Sequence, residues 1–185
     1  KGGKMIVDLK YTITPRHWVE EMGGELLISK TGHAFITELM QTSGAVFAGE
    51  ASGHYYFKEA GGGEAQMPVI LMVLSVMTRE RKKLSEIAQE LKIGWESGEI
   101  NFKVKNAGEI MDKVKERFPE GEFSDLDGIG ITYPDWRFTL RSSNTEPLLR
   151  LNVEGKSEEK VTEGKLEVID LINEFAEFDE ESSGH

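Results

Sequence analysis

Gly128-Ile-Gly-Ile-Thr-Tyr-Pro-Asp-Trp-Arg-Phe-Thr-Leu-Arg-Ser-Ser-Asn-Thr-Glu-Pro-Leu-Leu-Arg-Leu-Asn-Val153 sets the class of the second half of this 185-residue chain. Three strand candidates follow one another in it, Gly128 to Tyr133, Trp136 to Arg141 and Leu148 to Val153, with no helical pattern between them. Upstream, Ile100 to Val104 alternates like a strand, and Ile110, Val114 and Phe118 form a helical stripe. Downstream, Val161, Val168, Ile172 and Phe175 mark a closing helix. One helix, several strands and a final helix predict an α+β domain, an antiparallel sheet flanked by helices.

The first half reads differently. Strand patterns at Met5 to Leu9, Glu25 to Ser29 and Gly44 to Ala48 alternate with helical ones, which predicts an α/β domain with a mostly parallel sheet. Thr14 before Pro15 reads as a helix N-cap and first helical residue, and Gly23-Gly24 ends that helix. A second helix starts at His33, directly after Thr31-Gly32, and Tyr55 to Phe57 reads as a short hairpin return. Gly61-Gly-Gly63 reads as a hinge-like loop, and Met67 to Met77, apolar all round, as a buried helix. Leu84, Ile87, Ala88 and Leu91 follow the spacing of a helix packed on a surface. The pattern changes near Gly94, so the expected domains are residues 1–94 and 95–181, with 182–185 a disordered tail.

Composition narrows the function classes. There is no cysteine, hence no disulfide framework and no thiolate metal site, which fits a reducing cytoplasm. No apolar run approaches the roughly 20 residues of a membrane span, and Lys1-Gly-Gly-Lys4 leads straight into a strand pattern without a secretory leader. Residues 1–94 carry 11 Lys/Arg and 11 Asp/Glu, and residues 95–185 carry 11 and 22, so the net charge of −11 lies in the second half. A net-acidic chain without a basic stripe argues against a nucleic-acid partner. Any anion site must then be locally basic.

Arg141-Ser-Ser-Asn-Thr-Glu-Pro-Leu-Leu-Arg150 offers such a place. Planar guanidinium donors suit a phosphate, and Ser142, Ser143, Asn144 and Thr145 add neutral donors in a tight turn. The chemistry suits a dianion held at a strand–loop–strand corner; an exposed polar turn is the alternative. Glu50-Ala-Ser-Gly-His54 is a second dense polar cluster, set in an apolar run. Lys10 stands at the end of the first strand, where α/β folds gather ligand groups, or is a solvated strand-end lysine. His33 and His54 lie in separate glycine-containing loops at strand ends, where an imidazole can exchange protons at neutral pH.

The loop from Arg141 to Arg150, together with Gly49-Glu-Ala-Ser-Gly-His54, resembles the phosphohexomutases, the phosphomannomutase/phosphoglucomutase family. Val7-Asp-Leu-Lys-Tyr-Thr12, Ser29-Lys-Thr-Gly-His-Ala-Phe-Ile36, Ser97-Gly-Glu-Ile-Asn101 and Asp127-Gly-Ile-Gly-Ile131 agree in order and spacing. The resemblance implies that Glu50 and Ser52 clamp sugar hydroxyls and that Arg141, Ser143, Asn144 and Thr145 bind a distal phosphate. It implies that Lys10, His33 and His54 lie near the reacting centre, for proton transfer or positioning. Asn144 and Ala51 set the chain apart from the phosphoglucosamine branch, which usually has Gly and Gln there. Glu64-Ala65-Gln66 departs from the Asp and small residue of relatives, so that loop is expected to differ in shape.

Neither the family's Ser-His-Asn-Pro loop nor its Asp-Gly-Asp-x-Asp-Arg metal loop occurs in the sequence. The resemblance therefore implies the third and fourth domains of a four-domain enzyme. Its Mg²⁺ and phosphoserine would belong to N-terminal catalytic domains outside this chain. The partners implied are a hexose phosphate and those domains; a stand-alone sugar-phosphate binding or regulatory module is the alternative. No metal site is expected in the chain itself.

Overall fold

The computed structural model describes residues 2–143 and 148–177. The chain divides into two compact units, Lys1–Ile93 and Gly94–His185. In the first, β1 (Lys4–Asp8), β2 (Glu25–Ser29), β3 (Phe47–Gly49), β4 (Tyr55–Phe57) and β5 (Gly63–Glu64) form one sheet of order β2-β1-β3-β4-β5. β1 runs parallel to β2 and β3, and β4 and β5 add antiparallel edge strands. The predicted α/β layer is therefore present, with the antiparallel return at Tyr55 to Phe57.

The helices of this unit are α1 (Ile13–Glu21), α2 (His33–Ser43), α3 (Gln66–Glu80) and α4 (Leu84–Leu91). The core draws on Ile6, Ile36, Met40, Ala45, Ala48 and Tyr56, from β1, α2, β3 and β4. Tight turns end the first two helices: the Gly23 N–H donates to Glu20 O, and Gly44 lies in the left-handed region after α2. The Trp18 indole N–H donates to Leu91 O at 2.8 Å, tying α1 to the end of α4.

Three readings of this half are corrected. Thr14 is not the N-cap: α1 starts at Ile13, after Thr12, and the Thr14 hydroxyl accepts from Ile93 N at 3.4 Å. Gly61 to Gly63 is not a hinge but a tight turn, in which the Gly61 and Gly62 N–H groups donate to Lys58 O and Phe57 O. It carries the chain from a 3₁₀ turn at Lys58–Ala60 into β5. Met67 to Met77 forms a helix as expected, yet α3 buries no residue, and Met67, Leu71 and Met72 are more than half exposed. An all-round apolar sequence needs more cover than one sheet face provides, and the sheet core is already filled from β1, α2, β3 and β4.

In the second unit, β6 (Trp95–Lys103), β7 (Glu122–Ser124), β8 (Ile129–Thr132), β9 (Trp136–Ser142) and β10 (Leu148–Gly155) form an antiparallel sheet of order β6-β10-β9-β8-β7. Helices α5 (Ala107–Arg117) and α6 (Glu158–Phe175) complete it. The predicted α+β class holds; β7, too short to alternate, is an addition. Ile110 and Val114 of α5 and Val161, Val168 and Ile172 of α6 join Phe138, Leu140, Leu149, Leu151 and Val153 in one core. Ser157 caps α6 by accepting from Lys160 N at 3.2 Å. Gly164 lets α6 approach the Trp136 ring: a Cβ there would lie 2.4 Å from a ring carbon. The expected tail at 182–185 lies outside the described residues.

Candidate functional site

The parallel pairing of β1 with β3 brings their carboxyl ends together, and the start of α2 joins them. Asp8 ends β1, is 1% exposed, and bridges two loops. Its Oδ1 accepts from Lys10 N at 3.2 Å and its Oδ2 from Ala51 N at 3.0 Å. Burial pushes the Asp8 carboxyl above its usual range, with the two N–H donors and Lys10 pulling the other way. The turn carrying Lys10 and the loop carrying Glu50 and Ser52 therefore share one anchor.

Glu50 is nearly buried. Its Oε1 accepts from Gly32 N at 3.1 Å, and its Oε2 accepts from the Tyr56 hydroxyl at 2.7 Å. Gly32 has φ 129°, a conformation few L-residues adopt, and it caps α2 while aiming its N–H at Glu50. Burial first, and the bond to Glu50 second, raise the Tyr56 phenol well above its usual range, so it stays a donor. One donor on each oxygen leaves further lone pairs on the carboxylate for hydroxyls. The Glu50 N–H donates to His54 O and the Gly53 N–H to Glu50 O, closing the loop; Ser52 and His54 are exposed on it. His33 opens α2, exposed, with its ring 5.4 Å from that of Tyr56. Lys10, His33, Glu50, Ser52 and His54 thus gather at one end of one sheet.

His54 has a partner that the motifs leave out. Its Nδ1 lies 2.5 Å from Glu64 Oε1, and the Gln66 amide donates to the same oxygen. The Glu64 bond holds the imidazole above its usual pKa, and the same contact holds Glu64 below the usual carboxylate range.

The second polar site lies in the other unit, on the β9–β10 ladder. Arg141 faces Arg150 across the strands, while four residues along, Arg137 faces Glu154. Arg137 and Glu154 form an ion pair of 2.6 Å, with Glu154 2% exposed. Arg150 approaches Glu99 at 3.6 Å and donates to the Ser143 hydroxyl at 3.4 Å. The Arg141 Nε is buried with no hydrogen-bond partner among the described residues. The Ser143 N–H donates to Leu148 O at 2.7 Å and closes the base of the loop. Two guanidiniums facing each other across the strands, with only Arg150 approached by a carboxylate, from β6 on its far side, and a buried Arg141 donor without an acceptor among the described residues make a place for an anion. Asn144 and Thr145 lie outside the described residues.

Sequence reading missed Asp8, Tyr56 and Glu64. Asp8 sits inside the quoted stretch Val7 to Thr12, so its place was visible and its partner Ala51, 43 residues away, was not. Among the described residues no group of three or more His, Asp or Glu is placed to hold a metal ion, and no helix is long and apolar enough to cross a membrane.

Residues 1–93 match the family model described as phosphoglucomutase/phosphomannomutase, alpha/beta/alpha domain III, and residues 99–171 match that of the C-terminal domain. A phosphomannomutase of Methanocaldococcus jannaschii is 43% identical over 92% of this chain and 38% of its own length. The crystal structure of a phosphoglucomutase/phosphomannomutase family protein from Burkholderia thailandensis superposes with a TM-score of 0.78 at 29% identity, covering 95% of this chain and 39% of that one. The N-acetylphosphoglucosamine mutase of Aspergillus fumigatus, solved with GlcNAc-6P and magnesium, shares the fold at a TM-score of 0.58 and 12% identity, over 95% of this chain and 39% of that one. The chain therefore spans under two-fifths of the length of these relatives.

Proposed function

Since the chain belongs to the phosphoglucomutase/phosphomannomutase family, we propose that it is the sugar- and phosphate-binding part of a cytoplasmic phosphomannomutase. The whole enzyme interconverts mannose 6-phosphate and mannose 1-phosphate, with the glucose phosphates the second substrate pair to test. In this reading residues 1–94 and 95–181 are its third and fourth domains.

The parent reaction transfers a phosphoryl group from a phosphoserine to the free hydroxyl of the hexose phosphate. The resulting bisphosphate turns over and returns its other phosphoryl group to the serine. Mg²⁺, held by domains outside this chain, supplies charge neutralisation at the transferring phosphoryl group. Here Arg141, Ser143, Asn144 and Thr145 hold the phosphate that is not reacting, and Glu50 and Ser52 take ring hydroxyls. Lys10, His33 and His54 are the groups proposed to take or position the proton of the attacking hydroxyl. Without the phosphoserine the chain alone turns over no substrate.

The observation that carries this reading is the Arg141–Arg150 pair, with the buried Arg141 Nε lacking an acceptor among the described residues. Calorimetric titration of the 185-residue chain tests it. Mannose 6-phosphate should bind most tightly, inorganic phosphate more weakly, and mannose not detectably. Affinity for mannose 6-phosphate no greater than for mannose would overturn the proposal.

A further inference from the structure

The short strand β5 exists to deliver one side chain. Gly61 and Gly62 turn the chain back through left-handed conformations, and β5 then pairs with β4 so that Glu64 lies opposite Tyr56. His54 stands just before β4, in reach of Glu64, and the two meet at 2.5 Å through Nδ1 and Oε1. The Gln66 amide, in the first turn of α3, donates to the same oxygen. The side chain of Glu64 is two-thirds covered, whereas that of His54 is about half exposed.

We propose that Glu64 is a positioning residue that accepts the Nδ1–H of His54, fixing the ring and its tautomer so that Nε2 is the nitrogen that exchanges a proton with a substrate hydroxyl. This rests on the sugar-phosphate reading given above. A carboxylate on one ring nitrogen settles which tautomer the neutral imidazole adopts and makes the other nitrogen the base. The charged groups acting on this pair are Glu50, which favours the imidazolium, and His33, which favours the Glu64 carboxylate. The bond to Glu64 dominates both, so His54 keeps its second proton to higher pH than a free imidazole does. Below that point Nε2–H donates to a substrate oxygen; above it Nε2 accepts a proton.

The test is a ring-nitrogen and ring-proton NMR titration of His54 in the 185-residue chain and in Glu64→Gln, Glu64→Asp and Glu64→Ala. The wild type should show the Nδ1–H tautomer and a midpoint above the ordinary histidine value of about 6.5. Glu64→Gln and Glu64→Ala should lower the midpoint, and Glu64→Asp should retain most of the elevation. Unchanged amide signals of Tyr55 to Phe57 show that the edge of the sheet is intact in each variant. A His54 midpoint and tautomer identical in wild type and Glu64→Gln overturn the pairing. Mannose 6-phosphate added to the wild type separates the two claims. If His54 depends on Glu64 but does not respond to this ligand, the pair stands and the substrate reading fails, and with it the positioning role. A His54 Nε2 shift on ligand addition that is lost in Glu64→Ala supports the whole proposal.

Discussion

Arg137 and Arg141 occupy the same strand of the same ladder and meet opposite fates. Arg137 faces Glu154 and is neutralised in a nearly buried pair; Arg141 faces Arg150 and keeps a buried donor without an acceptor among the described residues. One end of the ladder is complete within the protein. The other is arranged as if a negative group from outside belonged to it. Like charges set opposite each other across a sheet weaken it by up to about 1 kcal/mol, so an arrangement of this kind reports on a ligand more directly than on stability.

The largest effect should come from breaking the complete end. Glu154→Ala strands a guanidinium in a desolvated place and should cost about 3–5 kcal/mol, read from the denaturant midpoint. At the incomplete end the pattern inverts. Arg141→Ala should leave stability unchanged or slightly raised. It should weaken mannose 6-phosphate binding by roughly 10- to 100-fold, the worth of about 1.5–3 kcal/mol in charged hydrogen bonds. Arg141→Lys keeps the charge without the planar fork and should weaken binding by about tenfold. Equal stability losses in Glu154→Ala and Arg141→Ala would erase the contrast.

Phosphate itself sharpens the comparison. At ten times its dissociation constant it should stabilise the second unit by about 1.4 kcal/mol, and by no more than about 0.4 kcal/mol at the same concentration in Arg141→Ala. Added salt should weaken this binding while leaving the partly buried Arg137–Glu154 pair nearly unaffected.

The smallest effect concerns pH and the first unit. His54 has its pKa raised in the fold above the ordinary 6.5. Its pairing therefore contributes stability that is fully present below pH 6.5 and is lost as pH rises through the raised value. The thermal midpoint of the wild type should fall across that interval, and Glu64→Gln should flatten the fall.

How far the sequence could be read follows from the range of the interactions. The stripe Val161, Val168, Ile172 predicted the buried face of α6, because a helix repeats every 3.6 residues and a sheet covers one side of it. The same logic failed at α3, whose apolar residues have no period and so name no buried face. Thr14 looked like a cap because a proline follows it, but the local preference lost to the contact between Thr14 and Ile93, 79 residues apart. The loops bearing Glu50 and Arg141 were legible because their polar residues are contiguous. Asp8, Tyr56 and Glu64 were not, since each acts through a partner supplied by strand pairing or by a loop from another strand.

Chemical-shift mapping in two steps tests the central claim most directly. Inorganic phosphate is added first to the 185-residue chain, then mannose 6-phosphate in a fresh sample. Phosphate should move the amides of Arg141 to Ser143 and Leu148 to Arg150 and leave Glu50 to His54 in place. Mannose 6-phosphate should move both sets, with a dissociation constant near the millimolar range, equivalent to about 4 kcal/mol. Shifts confined to other residues, with Arg141 to Ser143 unmoved by either ligand, would contradict the assignment of this ladder end as the phosphate site.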